Sequence, residues 1–421
     1  MKIKGFHDKI KGVAAIYDDV FLINGARTPF GKLCGTLSQV SPTDLGILAS
    51  KNALLKSSIN AADVDQVFYA NIGQSSSDCY FLPRHIALYS GIPQSVPALM
   101  LQRICGSGFE TIIAGAEQIA VGKSSVSMCG GTENMSLSPT VSFGNRMGYA
   151  LGKIDFKDML WEALNDTAAV PMGCTAENVA VKYKISKADA NEYAKLSIDR
   201  YIKAKARGFY EDEVLKVNSQ LIEAEGLKPR KIALPKSVKD FCVDENVRPA
   251  DLEAMANLPS VFAHDGVQTA ANSSGIVDGA ATVLVADKSF IAARSIKPLS
   301  KIVASATSAL DPNVMGLGPV PTIKLLLEVT GLSLSQIGLI EINEAFAAQY
   351  IGCERELNLN RDICNVNGGS IALGHPLAAT GTRLSLTISR EMKARKVKYG
   401  IASACIGGGQ GTAILFENTE I

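Results

Sequence analysis

Residues 96–133 read VPALMLQRICGSGFETIIAGAEQIAVGKSSVSMCGGTE, and the fold is decided by this stretch. Beyond Gly106 and Gly108 it passes into a helix rich in small residues, and SSVSMCGGTE (124–133) is then a buried-type strand closed by glycines. Upstream, VDQVFYANIG (64–73) is a strand ending in turn residues, and TDLGILASKNALLKSS (43–58) carries apolar positions at helical spacing. VFLINGA (20–26) is the first strand of this core, stopped by Gly25 and Pro29. Strand and helix alternate, which predicts an α/β protein with a mainly parallel, mixed sheet and helices on its faces.

Between 140 and 265 the texture changes. Charged helices such as KADANEYAKLSIDRYIKAKARG (187–208) alternate with irregular polar segments, and the stretch reads as an insertion. The α/β texture resumes at GIVDGAATVLVADKSF (275–290) and runs to the end. The two α/β stretches resemble one another: VDQVFYANI (64–72) aligns with IGLIEINEA (337–345) at a shift of 273, and SVSMCGGTE (125–133) with IASACIGGG (401–409) at 276. Nearly equal shifts predict a duplicated fold whose halves bring the same loops to one shared cleft. The expected organisation is an extension over 1–19, a first half over 20–139 completed by the strand region 266–290, an inserted loop domain over 140–265, and a second half over 291–421.

The chain has 421 residues, room for two or three packed units at roughly 150 each. With 47% hydrophobic and 20% charged residues it is not a disordered protein, and its 37 glycines imply tight turns and close-packed backbone. Lysine and arginine number 42 against 41 acids, a net charge of +1, which lacks the basic excess of a non-specific nucleic-acid binder. Any anionic ligand must be met by a local patch. Nine scattered cysteines, an odd number, read as thiols in a reduced compartment. No apolar run approaches the ~18 residues of a membrane span. The first 19 residues carry neither a secretory core nor, before Arg27, any arginine of a mitochondrial presequence, so a cytoplasmic location is expected.

Cys105 in ICGSGFETII stands at a helix start, where aligned N–H groups favour the nucleophilic thiolate; taken alone, a small buried Cys beside a glycine turn is the commoner reading of such a sequence. His375 in NVNGGSIALGHPLAATGTR, one of four histidines, is set by a Gly-rich turn and by Pro376 and is either a base toward a thiol or a loop His with one backbone bond. Cys405 in ASACIGGGQGTAI precedes three glycines whose N–H groups could face an oxyanion, or which simply turn a hairpin. Asn343 and Glu344 in NEAF follow a strand, where a polar pair usually caps a helix. No GxGxxG after a strand, no GxxxxGK[ST] and no zinc-type Cys/His spacing occurs, so neither a dinucleotide fingerprint nor a metal site is expected.

Taken together and in order, ICGSGFE, INEAF, NGGSIALGHP and CIGGGQGTA closely resemble the signature segments of the thiolase family, as do ARTPFGK (26–32), CGGTENMS (129–136), MGCTAENVA (172–180) and TAANSSGIVDGAA (269–281). The resemblance spans 20–421 and implies a duplicated α/β fold with an inserted loop domain. It also implies an acetyl-CoA C-acyltransferase or acetyltransferase, which condenses two acetyl-CoA reversibly or cleaves a 3-ketoacyl-CoA with CoA. On it, Cys105 is the acylated nucleophile, His375 its activating base, and Cys405 the acid/base at the acetyl-CoA methyl carbon. Asn343, through a water, and His375 form one oxyanion hole, and the N–H groups of Cys105 and Gly407 form the second. Ser274, Arg248, Met172, Phe262 and Phe346 hold the CoA substrate, with Ser274 on the pantetheine arm and Arg248 near the adenine end. CoA and acyl-CoA are substrates, and no cofactor is implied.

Lys203, Lys205, Arg207, Lys228, Arg230, Lys231, Lys236, Lys239 and Arg248 concentrate cations in the insertion, most of them a solvated surface. Pro171 stands where short-chain biosynthetic members usually have His and is more familiar in degradative ones; Ala378 replaces a common Gly and Ser260 a usual Pro, which alters local pocket shape. Two other readings are a ketoacyl-synthase-like condensing enzyme, which would replace the second Cys, and a non-catalytic acyl-CoA or lipid carrier, which need not retain the four-residue set. A homodimer through the strand SSVSMCGGTE is expected, doubling to a tetramer through 136–161, where Phe143, Met147, Tyr149, Phe156 and Trp161 either form an interface or cover the acyl pocket.

Overall fold

The computed structural model describes residues 11–421. Eleven strands form one mixed sheet: β1 (Gly12–Ile16), β2 (Val20–Arg27), β3 (Gly31–Lys32), β4 (Gln66–Ala70), β5 (Ala98–Met100), β6 (Val126–Glu133), β7 (Val277–Asp287), β8 (Ser300–Ala309), β9 (Leu339–Ile342), β10 (Tyr399–Ile406) and β11 (Gln410–Glu417). Their order is β9-β10-β11-β8-β2-β7-β6-β4-β5, with β1 paired to β8 and β3 to β7. Read outward from the β8/β2 junction, the two sides repeat one topology, and β5 is the additional edge.

The duplication is visible in the register. Gln66 lies opposite Ser127 and Leu339 opposite Gly400, an offset of 61 residues in each half (127 − 66 and 400 − 339). The shift of 273 therefore holds for both strand pairs, and the shift of 276 read for the second is corrected. Glycines at the end of both stretches had drawn that alignment three residues out of step. The parallel ladders β4/β5, β4/β6 and β9/β10 flank the sheet, whereas the central ladders run antiparallel. The strands β7 and β11 carry unbroken apolar runs, VLVA (283–286) and AILF (413–416), because they are buried on both faces, and such runs do not reveal strand direction.

Helix α1 (Pro42–Ser57) packs on β2 and β7, and its counterpart, Pro319–Thr330, packs on β8 and β11. Two further helices, α2 (Ser107–Ala120) and α3 (Leu377–Arg395), lie between the halves. Phe109 and Ile112 of α2 share one buried cluster with Leu384 and Ile388 of α3, Val283 of β7 and Ile414 of β11. The helices meet backbone to backbone: a Cβ at Gly108 would stand 2.6 Å from the Thr382 nitrogen, and one at Gly381 2.3 Å from that of Phe109. No side chain fits there, so these glycines bring the N-terminal ends of both helices together.

Two expectations change. Residues 12–16 belong to the sheet, opposite 304–308, so the extension set apart at 1–19 is core structure from residue 12; residues 1–10 lie outside the described residues. Strand β6 is paired on both sides and fully buried, so it has no edge to offer a second subunit; the free edge is β5. No helix among the described residues is long and apolar enough to cross a membrane.

Candidate active site

The turn Ile104–Gly106 delivers Cys105 just ahead of α2. Ile104 holds φ at 40°, a strained conformation for a β-branched residue, and Gly106 has no room for a Cβ, which would lie 2.5 Å from Ile406. Around Cys105 pack Ala70, Ile72, Met135, Leu377 and Ala378. The helix start does not make a resting thiolate. Burial pushes the thiol up to about 12, opposed by the backbone N–H of Gly407 and its own N–H and reinforced by the charge of Glu133. Desolvation outweighs the partial charge of a helix end.

His375 is buried, and its Nδ1 lies 2.6 Å from Thr380 Oγ1, which donates to the Pro376 carbonyl at 3.0 Å. Its Nε2 is 3.3 Å from Asn343 Nδ2. Burial, with the charge of Arg383, pushes His375 down to about 3, so the ring is neutral and able to take a proton. Asn343 reaches the ring directly, without capping a helix. Its neighbour Glu344 is likewise no cap: it accepts from Tyr193, Ser197 and Asn365 and ties the helix Lys187–Ala206 to the segment that leads to the histidine.

Cys405 is fully buried near the end of β10, its thiol held well above its ordinary value by burial and by the neighbouring Cys105. Gly408 and Gly409, with φ of 83° and 77°, turn the chain into β11, so the hairpin reading and the N–H reading of this loop describe the same backbone. A Cβ at Gly407 would meet Met172 Cε at 2.2 Å. Met172 packs with Cys405, Met315 and Ala345, with Phe346 against their edge.

A groove of about 420 Å³ is lined by Arg248, Phe262, Ser273, Ser274 and Gly275, and a second of about 540 Å³ continues past Arg248 and Asn246 to Met255. Ser274 donates its N–H to the Ala345 carbonyl at 3.0 Å, and Phe262 meets Phe346 edge-on at 5.7 Å. Arg248 is exposed and makes no ion pair among the described residues. Arg230, by contrast, is spent on Asp44 and Asp78, and Arg207 on Glu391. Among the described residues no cluster of His, Cys, Asp or Glu is fit to hold a metal.

Sequence reasoning did not single out Glu133, whose carboxylate accepts from the N–H groups of Ile72, Gly73 and Ala378 and so clamps both walls of the Cys105 pocket. It also did not single out Thr380. The hydroxyl five residues beyond His375 was the available signal. The short helix Met159–Leu164 places Leu160 and Ala163 on the Cys105 cluster and Leu164 on that of Cys405, while Phe143, Met147, Phe156 and Trp161 are exposed.

Two protonated thiols, a neutral imidazole and converging amide donors, beside a groove with one uncommitted cation, define a site of the acyl-transferring, cysteine-nucleophile class. The chain belongs to the thiolase family: residues 20–289 match the thiolase N-terminal domain and 296–418 the thiolase C-terminal domain. It is 42% identical over 408 residues to the mitochondrial 3-ketoacyl-CoA thiolase of Bos taurus, covering 96% of this chain and 100% of that one. It is 37% identical over 407 residues to the acetyl-CoA acetyltransferase of Paracoccus denitrificans, covering 94% and 98%. The crystal structure of human mitochondrial 3-ketoacyl-CoA thiolase in complex with CoA superposes with a TM-score of 0.89 at 42% identity, covering 95% of this chain and 98% of that one.

Proposed function

We propose that this thiolase cleaves 3-ketoacyl-CoA with CoA, and in reverse condenses acyl-CoA with acetyl-CoA, through an acyl group carried on Cys105. The observation that carries the reading is that Cys105 is buried in one cluster with Leu377 and Ala378, directly beyond the buried His375, where burial favours a protonated thiol and a neutral ring. His375 Nε2 takes the proton of Cys105, and the sulfur attacks the 3-keto carbon. The bond between C2 and C3 breaks, and Cys405 gives its proton to the departing acetyl-CoA carbanion. CoA then attacks the acyl-Cys105 thioester, its thiol proton passing to the Cys405 thiolate; Cys105 leaves as a thiolate, takes its proton back from His375, and acyl-CoA is released. Once protonated, Nε2–H of His375 stands beside the Asn343 amide, two donors for the thioester oxygen; the N–H groups of Cys105 and Gly407 serve the oxygen on the acylated carbon. The insertion 140–265 contributes Arg248 and Phe262 to the CoA groove, which Ser274 also lines, and Met172 to the cluster around Cys405, with Phe346 between that cluster and Phe262.

Steady-state thiolysis of acetoacetyl-CoA against a long-chain 3-ketoacyl-CoA tests this. Turnover of at least one is expected, and Pro171-Met172-Gly173 favours the longer substrate; inactivity with both overturns the reading. A cytoplasmic location is proposed alongside, in keeping with nine free cysteines among the described residues, and cell fractionation checks it.

For assembly we propose a homodimer across the free edge of β5, where Leu99 is 52% exposed, and a tetramer through Phe143 and Met147, exposed by 71% and 88%. Light scattering at micromolar protein is expected to show a multiple of 44.5 kDa, which Leu99→Lys reduces. An active particle at 44.5 kDa overturns the assembly.

A further inference from the structure

Behind the proposed base lies a buried guanidinium that the steps above do not use. Arg383 on α3 is fully buried, and its Nη2 donates to Ser370 Oγ at 3.2 Å, its one hydrogen bond among the described residues. Its Nη1 stands 3.9 Å from Glu341 Oε2, and its Nε and Nη1 have no hydrogen-bond partner. Arg27, the other fully buried arginine, shows how this chain treats a structural cation: Nε meets Glu213 at 2.5 Å, and Nη1 and Nη2 meet Asp244 at 2.6 and 2.9 Å. A guanidinium kept only for stability is saturated in that way, because burying an unpaired charge is costly. Among the described residues Arg383 has only the long ion pair with Glu341 and gives its one hydrogen bond to Ser370.

The consequence follows from donor and acceptor counts. Arginine donates only, so the Ser370 oxygen accepts from Arg383, and the single Ser370 proton goes to Asn343 Oδ1 at 2.7 Å. The Asn343 amide is thereby turned with its NH2 group toward His375 Nε2, which accepts. The ring proton then sits on Nδ1 and is donated to Thr380 Oγ1, whose own proton goes to the Pro376 carbonyl, an acceptor only. The chain Arg383, Ser370, Asn343, His375, Thr380, Pro376 has a pure donor at one end and a pure acceptor at the other, so every proton in it points one way. With the opposite amide face, Asn343 Oδ1 would call for a proton on Nε2, and the imidazole would present no lone pair to a thiol.

We propose that Ser370 and Arg383 are positioning residues that set the tautomer of His375 through the Asn343 amide and so keep the proton off Nε2, whose lone pair exchanges the Asn343 N–H for the Cys105 proton. The inference rests on His375 being the base toward Cys105. Asn343 and His375 touch the reacting groups; Ser370 and Arg383 act through them.

The test has two readouts on the full-length enzyme. Histidine ring nitrogen–proton correlation spectra are recorded near neutral pH; with four histidines in the chain, the His375 signals are assigned by comparison with His375→Gln. The expected native ring carries its proton on Nδ1; a ring protonated on Nε2 overturns the proposal, whatever any variant does. Ser370→Ala is expected to introduce the Nε2–H form and to lower kcat by about 10- to 100-fold, a fraction of the loss from removing an oxyanion donor, with KM within about twofold. In Ser370→Ala/Asn343→Ala, kcat is expected to match Asn343→Ala alone. Native kcat in Ser370→Ala, or a double-variant loss equal to the product of the single losses, overturns it. If the native ring holds its proton on Nδ1 while Cys105 is never acylated, the catalytic reading fails and the hydrogen-bond chain stands.

Discussion

Cys105→Ser is expected to lose acyl transfer almost completely, with kcat for thiolysis falling about 10⁴-fold or more, or about 5.5 kcal/mol of barrier. The magnitude follows from the site's construction. The native thiol is pushed up to about 12 by burial, and His375 is pushed down to about 3, so proton transfer from one to the other is uphill even for sulfur. A serine hydroxyl is far less acidic than a thiol and would add several more units to that climb. Its alkoxide is also a poorer leaving group when CoA attacks the acyl-enzyme. Incubation with acetyl-CoA, digestion and mass spectrometry should place an acetyl group on the native peptide containing Cys105 and none on the variant. Label on another cysteine, with Cys105→Ser acylated normally, would remove Cys105 from the role.

The second large effect separates the steps. Cys405→Ser should still form the acyl-enzyme from acetyl-CoA, because Cys105, His375, Asn343 and the Gly407 N–H are untouched. Condensation and thiolysis both need a proton moved at the acetyl-CoA methyl carbon, and they should fall together by about 10²- to 10⁴-fold. The Cys405 thiol is buried beside Cys105, so a charge on one raises the cost of a charge on the other. The pair is therefore expected to work in alternation, one sulfur acylated and neutral while the other holds or releases the proton. Rapid-quench measurement of acyl-enzyme alongside steady-state condensation checks both halves of this expectation. Full turnover in Cys405→Ser, or loss of acylation at native rate, would take Cys405 out of the proton-transfer step.

Much of this architecture is legible along the chain, and the reasons are local. The glycines at 106 and 108, the helix of small residues after them and the strand ending at 133 are each read from their own neighbours, and repetition at a shift of 273 exposes the second half. Cys105, His375, Cys405 and Asn343 stand in motifs whose order and spacing carry the family. Strand direction is not written locally, because a strand buried on both faces is apolar in either orientation. That is why the antiparallel centre of the sheet escaped the alternation of strand and helix. The pairing of β6 on both sides is invisible for the same reason, so SSVSMCGGTE offers no free edge, whereas Ala98–Met100 is a terminal strand of the sheet.

The sequence by itself determined the α/β class, the duplication and the family and pointed to the reacting groups proposed above, since each depends on residue type and on spacing within a short segment. Only the tertiary structure decided their protonation and their partners. The helix-start argument for Cys105 favours a thiolate, yet the site folds shut around it, and desolvation, which depends on residues as distant as Leu377 and Met135, wins over the helix end. The direction of the hydrogen bonds from Arg383 to Thr380 likewise depends on where a buried guanidinium lies in space relative to an amide 40 residues earlier in the chain (383 − 343). Proton positions are set by three-dimensional neighbours, and those exist only once the two halves have closed on α2 and α3.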